Sequence, residues 1–173
     1  MPYFSAKIVL MKRVFYLVSG IACFGIFLFF ACGKASSGYY NCSDQDPSTD
    51  SSALLAFAKS NGITPLSDTI GLYYQIVTQG SGASPTLTSN ISVLYKGSLL
   101  DGTVFDSTSG TTARSFVLNT LIPAWQITLP RLQTGGRIKL LVPSKYGYGC
   151  VGASTSVPPN TPIYFDITLV SFQ

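Results

Sequence analysis

Histidine and glutamate are absent from all 173 residues, and charged residues make up only 10% of the chain. Without histidine, no Ser-His-Asp or Cys-His relay can form. The four cysteines lack the paired close spacing of a zinc site. No GxxxxGK[ST] loop is present to cradle a phosphate. No metal and no cofactor are expected. The net charge of +4 is concentrated near the start of the chain, because residues 33–173 hold eight Lys or Arg against seven Asp. No basic stripe exists, so nucleic-acid binding has no electrostatic basis.

What is present begins with a long apolar run. Lys7, Lys12 and Arg13 precede "VFYLVSGIACFGIFLFFA", Val14 to Ala31, which holds no charge. A cationic flank, an apolar run and a small residue before Cys32 form the pattern of an export signal. "FFAC" followed by "GKASSG" resembles a bacterial lipoprotein cleavage site, although Phe29 stands where that pattern prefers leucine. The expectation is a signal peptide over residues 1–31, lipid on the Cys32 thiol, and a membrane-anchored protein of the cell envelope. An uncleaved anchor is the competing reading, since the run is just long enough to span a bilayer. Met11-Lys12-Arg13 also reads as an ordinary start, which would make residues 1–10 an extension. Cys23 lies in the segment that is discarded or stays in lipid. Cys42 and Cys150 remain, an even pair in an oxidising compartment. Either they pair as a disulfide or they are two unrelated thiols.

Residues 33–50, "GKASSGYYNCSDQDPSTD", are small and polar and read as a tether. Ser51 or Ser52 is placed to cap a short helix, with Leu54, Leu55 and Ala58 on one face and Gly62 as its stop. The pattern then changes to period two. "LYYQIV" (72–77) alternates, and from Ile91 the chain is mostly strand: 91–100, 103–106, 114–118, 135–143 and 162–172. Asp101-Gly102 joins the first two as a hairpin. Such alternation suits an antiparallel sheet with one buried side. Between 114–118 and 135–143, Pro123 fits the first turn of a helix carrying Trp125, Leu129 and Leu132, which Pro130 stops early. Five strands against one short helix imply an α+β fold, with residues 32–70 as tether and extra helix and 71–173 as the folded domain.

Six aromatics need an account: Tyr95, Phe105, Phe116, Trp125, Tyr148 and Phe165. Most rings in a small β-rich domain are core. Asp106 fits that reading poorly, because it is a carboxylate directly after Phe105 at a strand end. The Gly-rich loop "YGYGCVGASTSVPPN" fits it no better. "VLYKGSLLDGTVFDS", "FVLNTLIPAW", "GGRIKLLVPSKYGYG" and "VPPNTPIYFDITLV" occur in that order, and together they resemble the FKBP-type peptidyl-prolyl cis-trans isomerases over residues 71–173. The resemblance implies a sheet wrapped around one short helix, and a pocket for proline-containing polypeptides that macrolides such as tacrolimus or rapamycin would block.

Carried over by position, it makes Asp106, Tyr148 and Trp125 the catalytic residues. Tyr95, Phe105, Phe116, Leu121, Ile122, Val157 and Phe165 become substrate-binding. Trp125 would be the floor, the Tyr148 hydroxyl a donor to a substrate carbonyl, and the Ile122 N–H a second donor. Adjacent strand residues point to opposite faces, so Phe105 and Asp106 share a pocket only if the strand ends or bulges there. Ala124 and Thr128 stand where the family favours glycine, and Ala153 where many members have histidine. Arg114 aligns only loosely with the family's loop arginine, and its pairing with Asp106 is not carried over. A binding module that captures proline-containing or hydrophobic segments without turnover is the alternative, and a purely structural envelope lipoprotein is a third. The extra helix is too short for independent pairing, so a monomer on a tether is expected.

Overall fold

The Asp101-Gly102 turn closes as its composition dictates. Gly102 takes φ +92°, the Gly102 N–H bonds to the Leu99 carbonyl, and the Asp101 carboxylate accepts from the Thr103 N–H at 2.8 Å. The computed structural model describes residues 42–173; the apolar run, Cys23 and Cys32 lie outside the described residues. The elements are α1 (Ser48–Ser60), β1 (Leu66–Ser67), β2 (Tyr73–Thr78), β3 (Asn90–Leu99), β4 (Val104–Ser107), β5 (Arg114–Val117), α2 (Pro123–Thr128), β6 (Arg137–Val142) and β7 (Ile163–Phe172).

All strand pairs are antiparallel, in the order β1-β2-β6-β7-β3. The far edge of β3 is shared, with β4 opposite residues 96–98 and β5 opposite residues 90–93. The five strands expected from Ile91 onward lie within two residues of the alternating runs. The 72–77 run adds a sixth strand, and Leu66–Ser67 a seventh that no periodicity marks.

The inner face is apolar because alternate residues of β3, β6 and β7 point the same way. Ile91, Val93, Ile138, Leu140, Val142, Ile163, Ile167 and Leu169 are fully buried there. α2 lies on this face. Pro123 opens it, and Pro130 continues it only as a 3-10 turn over Leu129–Arg131. The glycine-to-larger changes at Ala124 and Thr128 are absorbed, since both side chains are fully buried and the Thr128 hydroxyl donates to the Ala124 carbonyl at 2.7 Å.

Two expectations change. The sheet is not bare on its other side, because α1 covers part of it. Leu54, Ala58 and Ile63 bury against Leu141, with Phe57, Tyr73, Leu100 and Tyr164 around them. Leu141 sits out of phase between two inward residues of β6, which is how one strand serves both faces. Leu55, expected on the packed face of the helix, is 44% exposed. Nor is the polar stretch free over residues 42–50. α1 starts at Ser48, ahead of the expected Ser51 or Ser52 cap, because Pro47 fits a first turn and the Asp46 carboxylate accepts from the Ser48 N–H at 2.9 Å. Gly62, at φ +61°, ends the helix as expected. Residues 42–70 fold in one unit with the sheet.

Candidate active site

The β3–β4 ladder slips by one residue. Ser98 pairs with Val104 and Gly97 with Asp106, leaving Phe105 as the extra residue of a bulge. The bulge re-aims the strand so that neighbouring side chains reach one site. The Phe105 ring meets Phe165 edge-on at 5.5 Å between centroids, while Asp106 reaches the hydroxyl of Tyr95. Gly97 makes this possible, since a Cβ there would lie 2.6 Å from the Phe165 ring and 2.8 Å from that of Phe105. No sequence motif singled out Gly97; a glycine inside a strand run was the available signal.

The rings form a graded stack. Trp125, from α2, lies edge-to-face with Tyr95 at 5.3 Å, Phe165 at 5.2 Å and Phe116 at 6.4 Å. Phe165 leads on to Phe105, and Phe105 to Tyr148 at 6.1 Å. Edge-to-face pairs each contribute about 0.5–1.5 kcal/mol beyond their buried area. Burial falls along the series: Trp125 and Phe165 are 4% and 3% exposed, whereas Phe105, Phe116 and Tyr148 are half-buried. Trp125 is thus at the bottom and Tyr148 at the rim. The Trp125 indole N–H is buried without a hydrogen-bond partner among the described residues.

Asp106 is held from two sides. The Tyr95 hydroxyl donates to one carboxylate oxygen at 2.5 Å, and the Arg114 guanidinium donates to the other at 3.0 Å and to the Tyr95 oxygen at 2.9 Å. The Arg114–Asp106 pair, not carried over from the loose alignment, is therefore present. It is half-exposed on both sides, so its net stabilisation is small; its effect is to orient the carboxylate. Burial pushes the Tyr95 phenol up to about 12, and the bond to Asp106 adds to the rise. Thr108 fixes the same strand by accepting from the Tyr95 N–H at 3.1 Å.

The remaining expected residues fall around this stack. Tyr148 follows a 3-10 turn over Ser144–Tyr146. Desolvation, then the charge of Asp106, raises its pKa, and its hydroxyl bonds to no group among the described residues. Ile122 precedes α2, and its N–H likewise donates to no backbone acceptor among the described residues. Leu121 and Ile122 pack half-buried against the core. Their loop is pinned by Gln126, a residue not foreseen, whose amide donates to the Leu121 carbonyl at 2.6 Å. Val157 is buried and bridges to Ala153, closing the loop after Tyr148. Cys42 and Cys150 are joined, with Cα atoms 5.5 Å apart. A separate open groove of about 320 Å³, lined by Leu94, Lys96, Thr108, Arg137 and Asp166, lies on the outer face of the sheet. The Arg137–Asp166 ion pair lines it, and Tyr95 is the one residue it has in common with the ring stack.

The FKBP-type peptidyl-prolyl cis-trans isomerase profile matches residues 82–170. FkpA of Escherichia coli strain K12, an FKBP-type peptidyl-prolyl cis-trans isomerase, is 39% identical over 119 residues, covering 68% of this chain and 43% of that protein. The peptidyl-prolyl cis-trans isomerase Mip of Coxiella burnetii is 37% identical over 122 residues, covering 68% and 53%. Among solved structures, E. coli FkpA superposes with TM-score 0.65 at 33% identity, covering 74% of this chain and 59% of that one. A peptidyl-prolyl isomerase of Pseudomonas syringae gives 0.62 at 28%, covering 76% and 98%. The chain spans about half the length of the curated relatives it matches. With the profile spanning half of its length and the bulge, ring stack and helix in place, this chain belongs to the FKBP-type peptidyl-prolyl cis-trans isomerase family.

Proposed function

We propose that the domain accelerates rotation about X-Pro bonds in polypeptides, without a covalent step. The observation that carries this reading is the convergence of Trp125, Phe165, Phe105, Tyr95 and Tyr148, from four strands or turns and one helix, into a stack that grades from buried to open. A prolyl ring is a compact apolar group, and aromatic edges and faces suit it.

The rotation barrier is about 20 kcal/mol and reflects lost amide resonance. The planar amide is the more charge-separated form, so water favours it over the twisted transition state. Apolar walls remove that preference. The Tyr148 hydroxyl and the Ile122 N–H, both without internal acceptors, are donors available to the flanking carbonyls of a bound segment. Bound in a fixed geometry, they favour the twisted amide. Asp106, oriented by Tyr95 and Arg114, faces the same space with a fixed negative charge. A thousandfold acceleration requires only about 4 kcal/mol of differential stabilisation. No imidazole is needed for any of this.

The same stack is the surface on which tacrolimus or rapamycin would compete. Lipid on Cys32, an envelope location and a monomeric state complete the reading. Their support is the cationic flank, the apolar run, the small residue before Cys32 and the short α1. A proline-peptide turnover assay with rapamycin competition tests the activity, and mass spectrometry of the exported protein for lipid on Cys32 tests the anchor. Turnover unaffected by rapamycin, or an unmodified Cys32, rejects the corresponding part.

A further inference from the structure

The loop that carries Tyr148 holds Gly147, Gly149 and Gly152, and of residues 147–160 only Val157 is buried. Yet it is pinned on both sides of Tyr148 by residues from the start of the described chain. Four residues before Tyr148, the Ser144 N–H and hydroxyl both donate to one oxygen of Asp50, at 2.7 and 2.8 Å. Both residues are buried, at 1% and 6% exposure, and 94 positions separate them. Two residues after Tyr148, the Cys150 N–H donates to the Asp44 carboxylate at 2.9 Å, and Cys150 is bonded to Cys42 across 108 positions. Between the pins the turn closes on itself, with the Gly149 N–H on the Ser144 carbonyl at 2.8 Å and the Asn160 N–H on the Gly149 carbonyl at 2.9 Å. The pins stand on a rigid base, because α1 is fixed to the outer face of the sheet through Leu54 and Ala58 against Leu141.

A donor that acts on a twisting amide must be held to within a fraction of an ångström. Gly-rich backbone does not supply that by itself. We propose that Asp50 is a positioning residue for Tyr148, and that Cys42–Asp50 with its disulfide is a clamp setting where the Tyr148 hydroxyl stands. The segment before the isomerase domain thereby belongs to the catalytic apparatus without touching substrate. This rests on the reading of Tyr148 as the substrate's hydrogen-bond donor.

The test uses the full chain with Asp50→Ala, Asp50→Asn and the double change Cys42→Ser/Cys150→Ser, each also combined with Tyr148→Phe. Two quantities are read: kcat on a proline peptide, and amide hydrogen exchange at Gly147–Cys150 against that at Ile138–Val142. Asp50→Ala is expected to lower kcat about fivefold when Tyr148 is present and hardly at all in the Tyr148→Phe background. Asp50→Asn, which keeps an oxygen acceptor, should recover most of that loss. Exchange at Gly147–Cys150 should rise about tenfold in Asp50→Ala and in the cysteine pair, with β6 unchanged. Unchanged exchange at Gly147–Cys150 overturns the clamp whatever the activity, and so does an equal loss of kcat in both backgrounds. A chain without turnover whose Gly147–Cys150 amides still lose protection supports the clamp and removes the isomerase reading instead.

Discussion

The Tyr95 hydroxyl bonds Asp106 at 2.5 Å, joining a ring of the stack to the carboxylate that follows Phe105. Arg114 touches both partners, so the three groups set one another's orientation. Tyr95→Phe removes the donor and keeps the ring. Stability is expected to fall by about 1 kcal/mol, measured by urea unfolding. Turnover should fall about tenfold, because Asp106 is then held only by a half-exposed arginine. Unaltered kcat/KM would remove Asp106 from the mechanism.

Gly97→Ala places a methyl group between the rings of Phe105 and Phe165. The rings are expected to shift, at a cost of about 1–3 kcal/mol in stability. The larger effect should be on rapamycin affinity, since the displaced rings are the proposed pocket walls. A folded variant that binds rapamycin as the parent does would show that these rings do not line the site.

Trp125 is the only tryptophan in the chain, so its fluorescence reports the buried end of the ring stack without labelling. Titration with rapamycin is expected to change its emission saturably. Trp125→Ala should lose that signal and destabilise the fold by about 3–5 kcal/mol. An emission spectrum indifferent to saturating ligand contradicts the placement of the indole beneath the ligand.

Alkaline conditions test the burial of two phenols. Tyr95 is pushed up to about 12 by burial and by its bond to Asp106, and Tyr164 to about 12 by burial and the charge of Asp166. Unfolded phenols titrate near 10. Between pH 10 and 12 the unfolded chain has shed protons that the folded chain keeps, so stability falls as pH rises through that window. Melting temperature should be insensitive to these groups below about pH 9.5 and drop above it. Tyr95→Phe and Tyr164→Phe should each make the drop shallower; an identical slope in both variants would contradict the assignment.

The parts of the site readable from sequence were those written locally. Asp101-Gly102 announces its turn, Pro123 its helix start, and the alternating runs their strands. The Phe105 bulge is different, because a bulge is defined by what the partner strand does opposite it; only the pairing of Gly97 and Ser98 reveals it. Gln126 escaped for a similar reason, since its amide serves a loop carbonyl five residues back rather than a motif. Arg114 is a further case, since the guanidinium reaches Asp106 from β5, a strand that pairs with β3 and not with β4. The Asp50–Ser144 bond spans 94 residues and leaves no local trace at all. Small polar composition around residues 42–50 suggested a tether, and composition alone carries no record of two pins to a distant loop.

The central claim is that the ring stack is a working prolyl site. The direct measurement is the rate of a refolding reaction limited by a cis-proline isomerisation, followed with and without residues 42–173 of this chain. Unaided, such a phase takes tens of seconds. The account predicts that substoichiometric protein shortens it, that rapamycin abolishes the effect, and that Tyr148→Phe weakens it while the fold persists. A refolding rate unmoved by the folded parent protein would contradict it.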